Sequence, residues 1–335
     1  MIWCCPRCRG ELRPESNWLR CHGCDSRWET IDGIPDLRVP GASWIDFEED
    51  LLIARELSSL DCSLPDLVRA VYARRVGWDK GRIDRRTREV LEAPAKLKSD
   101  VAGWLHPIAE REGVLLDVGC GAGMLIAAMT EQERTVIGID VSMTWLVVAK
   151  RLIGHFGGVP VLAAALGESL PLRDGSVGGL VSLDVIEHVR DPASYLREID
   201  RVVRTDGGIA LSTPNRFSLT AEPHVFVWGV GWLPRRWQRA YVHWRSGKDY
   251  DDTVLMSSFG LRERIRANTS FRFTLLIPEV PPEALAEFRP AKRVLALLYN
   301  RLASVGPLRA IFLLIGPFFR IVGVKHGVGV ESCTR

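Results

Sequence analysis

The stretch that most constrains this chain is Val114-Leu-Leu-Asp-Val-Gly-Cys-Gly-Ala-Gly123. Its apolar opening, bounded by turn residues, reads as a short buried strand. Met124-Leu-Ile-Ala-Ala-Met129 then reads as the start of a helix. Strand, glycine-rich turn and helix form the arrangement of a nucleotide-cofactor site, because glycine lets the backbone approach a ligand closely. Two ligand classes compete for it. A dinucleotide places its pyrophosphate on the exposed amides of the helix N-terminus, where the carboxylate of Asp117 at the strand end would repel it. A ligand with an amino group and a sulfonium, as in S-adenosylmethionine, suits that carboxylate. Gly119, Gly121 and Gly123 form G-x-G-x-G, and Met124 stands where a dinucleotide fingerprint has Gly or Ala. On this stretch alone, a glycine turn without a ligand stays open.

The chain beyond the turn alternates strands with helices. Thr135-Val-Ile-Gly-Ile-Asp140, Val159–Ala164, Val177–Leu183 and Ile209–Thr213 read as further strands. Asp191 can cap a helix that starts at Pro192 and runs through Arg204 to a stop at Gly207-Gly208. This alternation predicts an α/β fold with a doubly wound sheet. Asp140, at the tip of the second strand, can accept two hydrogen bonds from an adenosine ribose, a geometry that both ligand classes share.

The N-terminal segment carries Cys5-Pro-Arg-Cys8 and Cys21-His-Gly-Cys24. Two C-x-x-C pairs can supply four thiolates to a tetrahedral zinc, and the metal would give so short a segment the folding energy that its core cannot. Cys4 is a substitute for Cys5 at poorer spacing, and His22, inside the second pair, is expected to be exposed. Cys-Pro-x-Cys, the second Cys-x-x-Cys and Asp32-Gly-Ile-Pro35 together resemble the small zinc-ribbon domain that is fused to, or partners, many methyltransferases.

A longer ordered series carries a second resemblance. Leu116-Asp-Val-Gly-Cys-Gly-Ala-Gly123, Ile139-Asp140, Glu168-Ser-Leu-Pro-Leu-Arg-Asp-Gly-Ser176, Asp184-Val-Ile-Glu-His-Val189, Leu196-Arg-Glu with Arg201-Val-Val, and the Gly-Gly and Ser-Thr-Pro-Asn215 segment occur in that order. Together they resemble the class I S-adenosylmethionine-dependent methyltransferases, nearest the branch of quinone-biosynthesis enzymes. The resemblance covers about residues 114–216. It implies a Rossmann-like seven-stranded sheet of order 3-2-1-4-5-7-6. Asp117 and Gly119 would hold the methionine end of the cofactor, and Asp140 the ribose. Gly121 and Gly123 complete the turn, Glu168 and Ser169 would border the adenine, and Leu183 would contact the cofactor through its backbone. The family often has an acid aimed at the adenine two residues before Glu168, and here Leu166 stands there. His188, just past the fourth strand, is the candidate base if the acceptor is a poorly ionised hydroxyl, with a loop-positioning histidine as the alternative. Asp184 and His224 are weaker candidates.

The rest of the chain is read around this core. The expected organisation is a zinc ribbon over 1–40, a helical cap over 41–112 with breaks at Pro65 and Pro94, the cofactor-binding core over 113–216, an insertion over 217–258, and completion of the sheet over 259–335. The basic stretch Arg82–Leu91 reads as a solvated helix face rather than a phosphate track. The insertion interleaves Trp228, Trp232, Trp237 and Trp244 with Arg235, Arg236, Arg239 and Arg245. The leading expectation is a substrate lid whose tryptophans pack as core. A membrane surface comes second and base stacking third. Residues 258–269 are expected to be helical and Phe271–Ile277 and Phe319–Lys325 to pair antiparallel, with a helical insertion from Pro282 to Pro317. Docking of its apolar segments Leu295-Ala-Leu-Leu298 and Ile311-Phe-Leu-Leu-Ile315 on the core is the leading expectation, with binding of a greasy substrate or contact with a membrane as alternatives.

With 335 residues, 47% hydrophobic and 25% charged, the composition is globular. A formal net charge of +3 is too small to argue for nucleic acid. No signal peptide is expected after Met1-Ile-Trp3, and the apolar run from Ala310 to Phe319 is too short to span a bilayer. A cytoplasmic protein with thiols and metal ligands rather than disulfides is expected. The functional expectation is methyl transfer, with oxygen as the acceptor atom, to a small or lipid-linked molecule; the partner is that acceptor, with peripheral membrane contact left open. RNA methylation, using the ribbon and the Arg-rich lid, and a non-catalytic cofactor-binding scaffold stand as alternatives.

Overall fold

The structure is a computed structural model that describes residues 2–39, 45–132, 134–281, 285–286 and 288–326. Four short strands open the chain: β1 (Leu12–Glu15), β2 (Trp18–Cys21), β3 (Arg27–Ile31) and β4 (Ile34–Pro35), each antiparallel to the next. Their inward residues Leu12, Leu19 and Trp28 join Trp3, Leu37, Leu170 and Leu172 in one continuous core. The ribbon is docked on the main domain by backbone as well. Leu37 N–H donates to Ala164 O at 2.7 Å and Cys4 N–H to Pro171 O at 2.9 Å.

Helices α1 (Phe47–Ser58), α2 (Leu64–Ala73), α3 (Lys80–Ala102) and the short α4 (His106–Ala109) follow. Asp46, Ser63 and Asp79 cap the first three by accepting amide hydrogens of the opening turn. The break expected at Pro94 is absent. Pro94 lies buried inside α3, where tertiary packing outweighs its missing hydrogen bond. The charged face of this region is solvated as expected, with Arg69 pairing Asp66 and Asp84 and Arg86 pairing Glu89 at the surface.

The main sheet is built from β5 (Leu115–Val118), β6 (Val136–Asp140), β7 (Val161–Ala164), β8 (Val177–Leu183), β9 (Val203–Pro214), β10 (Phe271–Leu276) and β11 (Phe318–Lys325). Their order is β10-β11-β9-β8-β5-β6-β7, which is the expected 3-2-1-4-5-7-6 read from the other edge. The first five run parallel, and β11 is antiparallel to both β9 and β10. Residues alternate faces along a strand. Leu116, Ile137, Ala163, Leu180 and Ile209 pack in one layer; Leu115, Val136, Leu162, Val181 and Ala210 pack in the other. A sheet apolar on both sides must be covered on both. One side receives α7 (Pro192–Val202), α9 (Ser258–Asn268) and the ribbon. The other receives α1, α2 and α3 together with α5 (Met124–Ala128) and α6 (Met143–His155). On that side α1, α2 and α3 lie over α5 and α6.

Three further expectations give way. Helix α7 ends at Val202, and Val203 already begins β9; a bulge in the register with β8 absorbs the glycine pair that was read as a helix stop. In the insertion, which carries a 3-10 turn (Val230–Trp232) and α8 (Arg235–Ser246), a small core of Val225, Val227, Val230, Val242 and Tyr250 does the packing. The four tryptophans lie outside that core and are exposed. Likewise α10 (Pro290–Ala303) fully buries only Ala296 and Ala303 and α11 (Gly306–Ile315) fully buries no residue; Leu313 packs against the main core, while Leu295, Leu297, Leu298 and Leu314 are exposed. No helix among the described residues is long and apolar enough to cross a membrane.

Candidate functional site

The parallel strands end together at the side where β5 passes into the glycine turn, the side on which open α/β sheets bind ligands. Gly119, Gly121 and Gly123 all adopt left-handed backbone, with φ of 76°, 50° and 73°. A side chain on Gly119 would fall 2.2 Å from Val185 Cγ2, and one on Gly123 would meet Ala149 at 2.9 Å. At Gly121 the same position opens on free space. The turn thus packs against its own protein at two glycines and presents bare backbone to solvent at the third.

Two carboxylates lie beneath this turn. Asp140 Oδ2 accepts the Gly121 N–H at 2.8 Å, and Oδ1 accepts the Ser142 N–H at 2.8 Å. Burial raises the Asp140 carboxyl above the usual range. Burial and the neighbouring Asp140 push Asp117 up to about 7. Two buried carboxylates, one of them raised by the charge of the other, favour a ligand bringing positive charge and oppose a pyrophosphate. This observation fits a cofactor with an ammonium and a sulfonium.

The loop after Asp140 is held by residues that sequence reading passed over. Asp50 in α1 accepts from Ser142 Oγ and from the Met143 and Thr144 amides, which cap α6 from a distance. Arg38 pairs with Asp50 and Asp36 and donates to Val141 O at 3.0 Å. Arg38 is 3% and Asp50 6% exposed. An Asp inside an amphipathic helix gives no sequence signal that it caps another helix.

A cavity of about 310 Å³ opens in front of this turn, within the size range of small-molecule sites. Of the residues expected at the site, Gly119, Asp140, Glu168 and His188 line it, together with Leu166 and Asp184. Asp117, Gly121, Gly123, Ser169 and Leu183 do not line it. Ser169 turns toward the ribbon, its hydroxyl donating to Pro6 O at 3.4 Å. Glu168 accepts the Arg190 N–H at 2.9 Å. Asp184 adopts left-handed backbone, φ 56°, and accepts from Ser212 Oγ at 2.7 Å; such strain in a non-glycine residue clusters at functional sites.

At the cavity rim, His188 meets His224 of the insertion, Nε2 to Nε2, at 3.0 Å with the rings edge-on. His188 Nδ1 lies 3.0 Å from the Asp252 carbonyl, so it carries a hydrogen and its Nε2 accepts. His224 Nδ1 lies 2.5 Å from Glu222 Oε1. Burial lowers the His188 pKa. Burial works against the charge on His224 too, but the hydrogen bond and charge of Glu222, aided by Glu187, raise it. The opposite shifts favour a proton on His224 over one on His188, and a proton on His224 Nε2 would be donated to His188. Beneath it, Glu187 is fully buried; its Oε2 accepts from Thr213 Oγ1 at 2.9 Å, and its Oε1 has no hydrogen-bond partner among the described residues, lying 3.9 Å from His224 Nε2. Burial, then the charge of Asp184, pushes Glu187 up to about 8. Ligand atoms of Glu187, His188 and His224 lie within 4.8 Å of one another, compact enough to hold a cation. Sequence reading had His188 and weighed His224 without their contact, which joins residues far apart in the chain.

In the ribbon, the sulfurs of Cys5, Cys8, Cys21 and Cys24 lie within 4.8 Å of one another. The two pairs sit in matching turns. Arg9 N–H donates to Cys5 O and Asp25 N–H to Cys21 O, with Arg9 and Asp25 both left-handed. A side chain on Gly10 or Gly23 would come within 3.1 Å of a cysteine sulfur. Cys4 points its backbone at Pro171 and is outside the cluster, so the four sulfurs are those of the better-spaced pairs.

Residues 116–211 match the family described as a methyltransferase domain. The ubiquinone biosynthesis O-methyltransferase of Pseudomonas paraeruginosa is 40% identical over 132 residues, 37% of this chain and 53% of that protein. Its counterpart from Paracidovorax citrulli is 37% identical over 144 residues, 40% of this chain and 58% of that protein. An uncharacterized 37.1 kDa protein of a Streptomyces fradiae transposon is 30% identical over 222 residues, 62% of this chain and 59% of that protein. The chain thus spans little more than half the length of these curated relatives. Among solved structures, YcgJ of Bacillus subtilis superposes with a TM-score of 0.45 at 18% identity, covering 68% of this chain and 99% of that one.

Proposed function

We propose, from the premise that residues 116–211 form a class I S-adenosylmethionine-dependent methyltransferase domain, that this protein methylates an oxygen of a small or lipid-linked biosynthetic intermediate. The observation that carries the reading is the cavity bounded by the glycine turn and Asp140 on one side and by His188 on the other. The similarity to O-methyltransferases of ubiquinone biosynthesis supports oxygen as the acceptor atom. The bound cofactor would supply an electrophilic methyl group. Asp117 would favour the charged methionine end, Asp140 would accept from the ribose, and Leu166 and Glu168 would border the adenine. In-line transfer needs positioning and exclusion of water, and a hydroxyl acceptor must also lose its proton. His188 Nε2 takes that proton once His224 has released its own. Holding that proton at His188 would leave the acceptor oxygen nucleophilic toward the methyl group that the cofactor would supply.

The four cysteines are proposed to hold a structural zinc, since four thiolates at this separation match a closed tetrahedral site. The function is tested by calorimetry with S-adenosylmethionine, then by transfer of labelled methyl to a hydroxylated aromatic bearing a prenyl tail. A methyl ether is expected. Absence of cofactor binding, or methyl found on carbon or nitrogen, overturns the reading.

A further inference from the structure

The largest unabsorbed feature is an exposed apolar and cationic surface formed by the two insertions. Trp228 is 61%, Trp244 75%, Leu295 66% and Ile311 49% exposed, and Trp232, Trp237, Val294, Leu297, Leu298 and Leu314 are exposed with them. Single exposed apolar residues are ordinary, but a grouped set marks an interaction surface. The two insertions touch. Leu219 N–H donates to Ile315 O at 3.1 Å, Asn215 binds the Leu314 and Gly316 carbonyls, and Tyr299 of α10 stacks edge-on against Phe312 of α11.

The charge pattern selects the occupant. Residues 235–248 carry Arg235, Arg236, Arg239, Arg245 and Lys248, and residues 289–316 carry Arg289, Lys292, Arg293, Arg301 and Arg309; neither segment contains an acid. Arg236 and Arg245 lie over the rings of Trp237 and Trp244. A second copy of this chain would set arginine against arginine. An RNA strand would pair with the arginines and leave the leucines of α10 and α11 in water. A bilayer with anionic headgroups satisfies both sets, tryptophan and arginine at the interface and leucine below it.

We propose that α10, α11 and the tryptophan-bearing insertion form one face that seats this protein on an anionic lipid bilayer without crossing it. The same insertion carries His224 to the cavity rim, so the seated face lies on the element that also borders the cavity. Resting on the methyl-transfer reading above, the acceptor class is a membrane-dissolved hydroxylated molecule that reaches the cavity from the lipid side.

Flotation of the full chain with phosphatidylcholine vesicles, with and without phosphatidylglycerol, tests the surface. Binding is expected only with phosphatidylglycerol, and it should weaken as salt rises. The triple variant Trp244→Ser, Leu295→Ser, Ile311→Ser should lower vesicle partition by about tenfold or more, with thermal unfolding and S-adenosylmethionine binding as in the parent. No flotation with either vesicle, undiminished flotation of the variant, a dimer in sedimentation velocity that the variant disrupts, or RNA binding that the variant abolishes would each overturn the proposal. Flotation measures no methyl transfer, so its failure is distinct from failure of the enzymatic reading.

Discussion

At the cavity rim the protons on three side chains decide what chemistry is available. When His224 carries its proton it donates to His188, so the base becomes free only as His224 titrates. The raised His224 pKa places the acid limb of kcat/KM above the ordinary histidine value of 6.5, and Glu222→Gln should move that limb down because it removes the stabilising carboxylate. His188→Ala should cost about a hundredfold or more in kcat; intact turnover would leave His188 a loop-positioning residue. Glu187 makes a separate prediction about stability. Its folded pKa of about 8 lies above its ordinary 4.5, so the unfolded chain gives up this proton first and stability falls as pH rises between those values. Glu187→Gln should therefore gain relative to the parent over that window, by a few kcal/mol at the upper end. Chemical denaturation at pH 5 and pH 8.5 measures the difference. Asp50 differs in kind, because it closes a buried pair with Arg38 and caps α6. Asp50→Ala leaves a buried guanidinium with one partner fewer and should cost about 3 kcal/mol or more. It should also weaken cofactor binding through the Asp140 loop, as calorimetry would show.

Among the elements, the ribbon is where the proposed zinc would be coupled to the fold. Its strands are four or five residues at most, too short to hold together without the cysteine cluster, so stripping zinc with a chelator should unfold it. Because Leu37 joins the main core and Ser169 beside the cavity donates to Pro6, that loss should reach the cofactor site. Cys24→Ser is expected to lower both bound zinc, measured by elemental analysis, and S-adenosylmethionine affinity. Unchanged affinity would make the ribbon an independent appendage. The helices α1, α2 and α3 show the converse case. Their apolar faces answer α5 and α6, and only an Asp on α1 reaches the site.

At the scale of the whole molecule, the ribbon, the parallel strands and α7 and α9 share one apolar cluster. A shared core makes unfolding cooperative, so tryptophan fluorescence of the full chain and far-ultraviolet circular dichroism should report one thermal midpoint with zinc bound. Two separated transitions would show that the ribbon melts alone. The first insertion packs around its own valines, and the second reaches the main core through Leu313 while leaving most of its leucines exposed. The molecule is therefore a closed cofactor-binding body with an apolar margin.

The sequence by itself determined the strands and the glycine turn, because apolar runs, tight glycine turns and caps are local signals that a chain cannot conceal, while the strand order was what the resemblance to a known family implied. It also determined the four-cysteine cluster, since two short spacings fix two ligand pairs. What only the tertiary structure decided are contacts between residues far apart in the chain: His188 with His224, Asp50 with the α6 amides, Arg38 with Val141. Burial belongs to the same class. Tryptophan and leucine look alike in a sequence whether they face a core or water. The valines of the insertion had already filled its small interior, leaving the tryptophans outside.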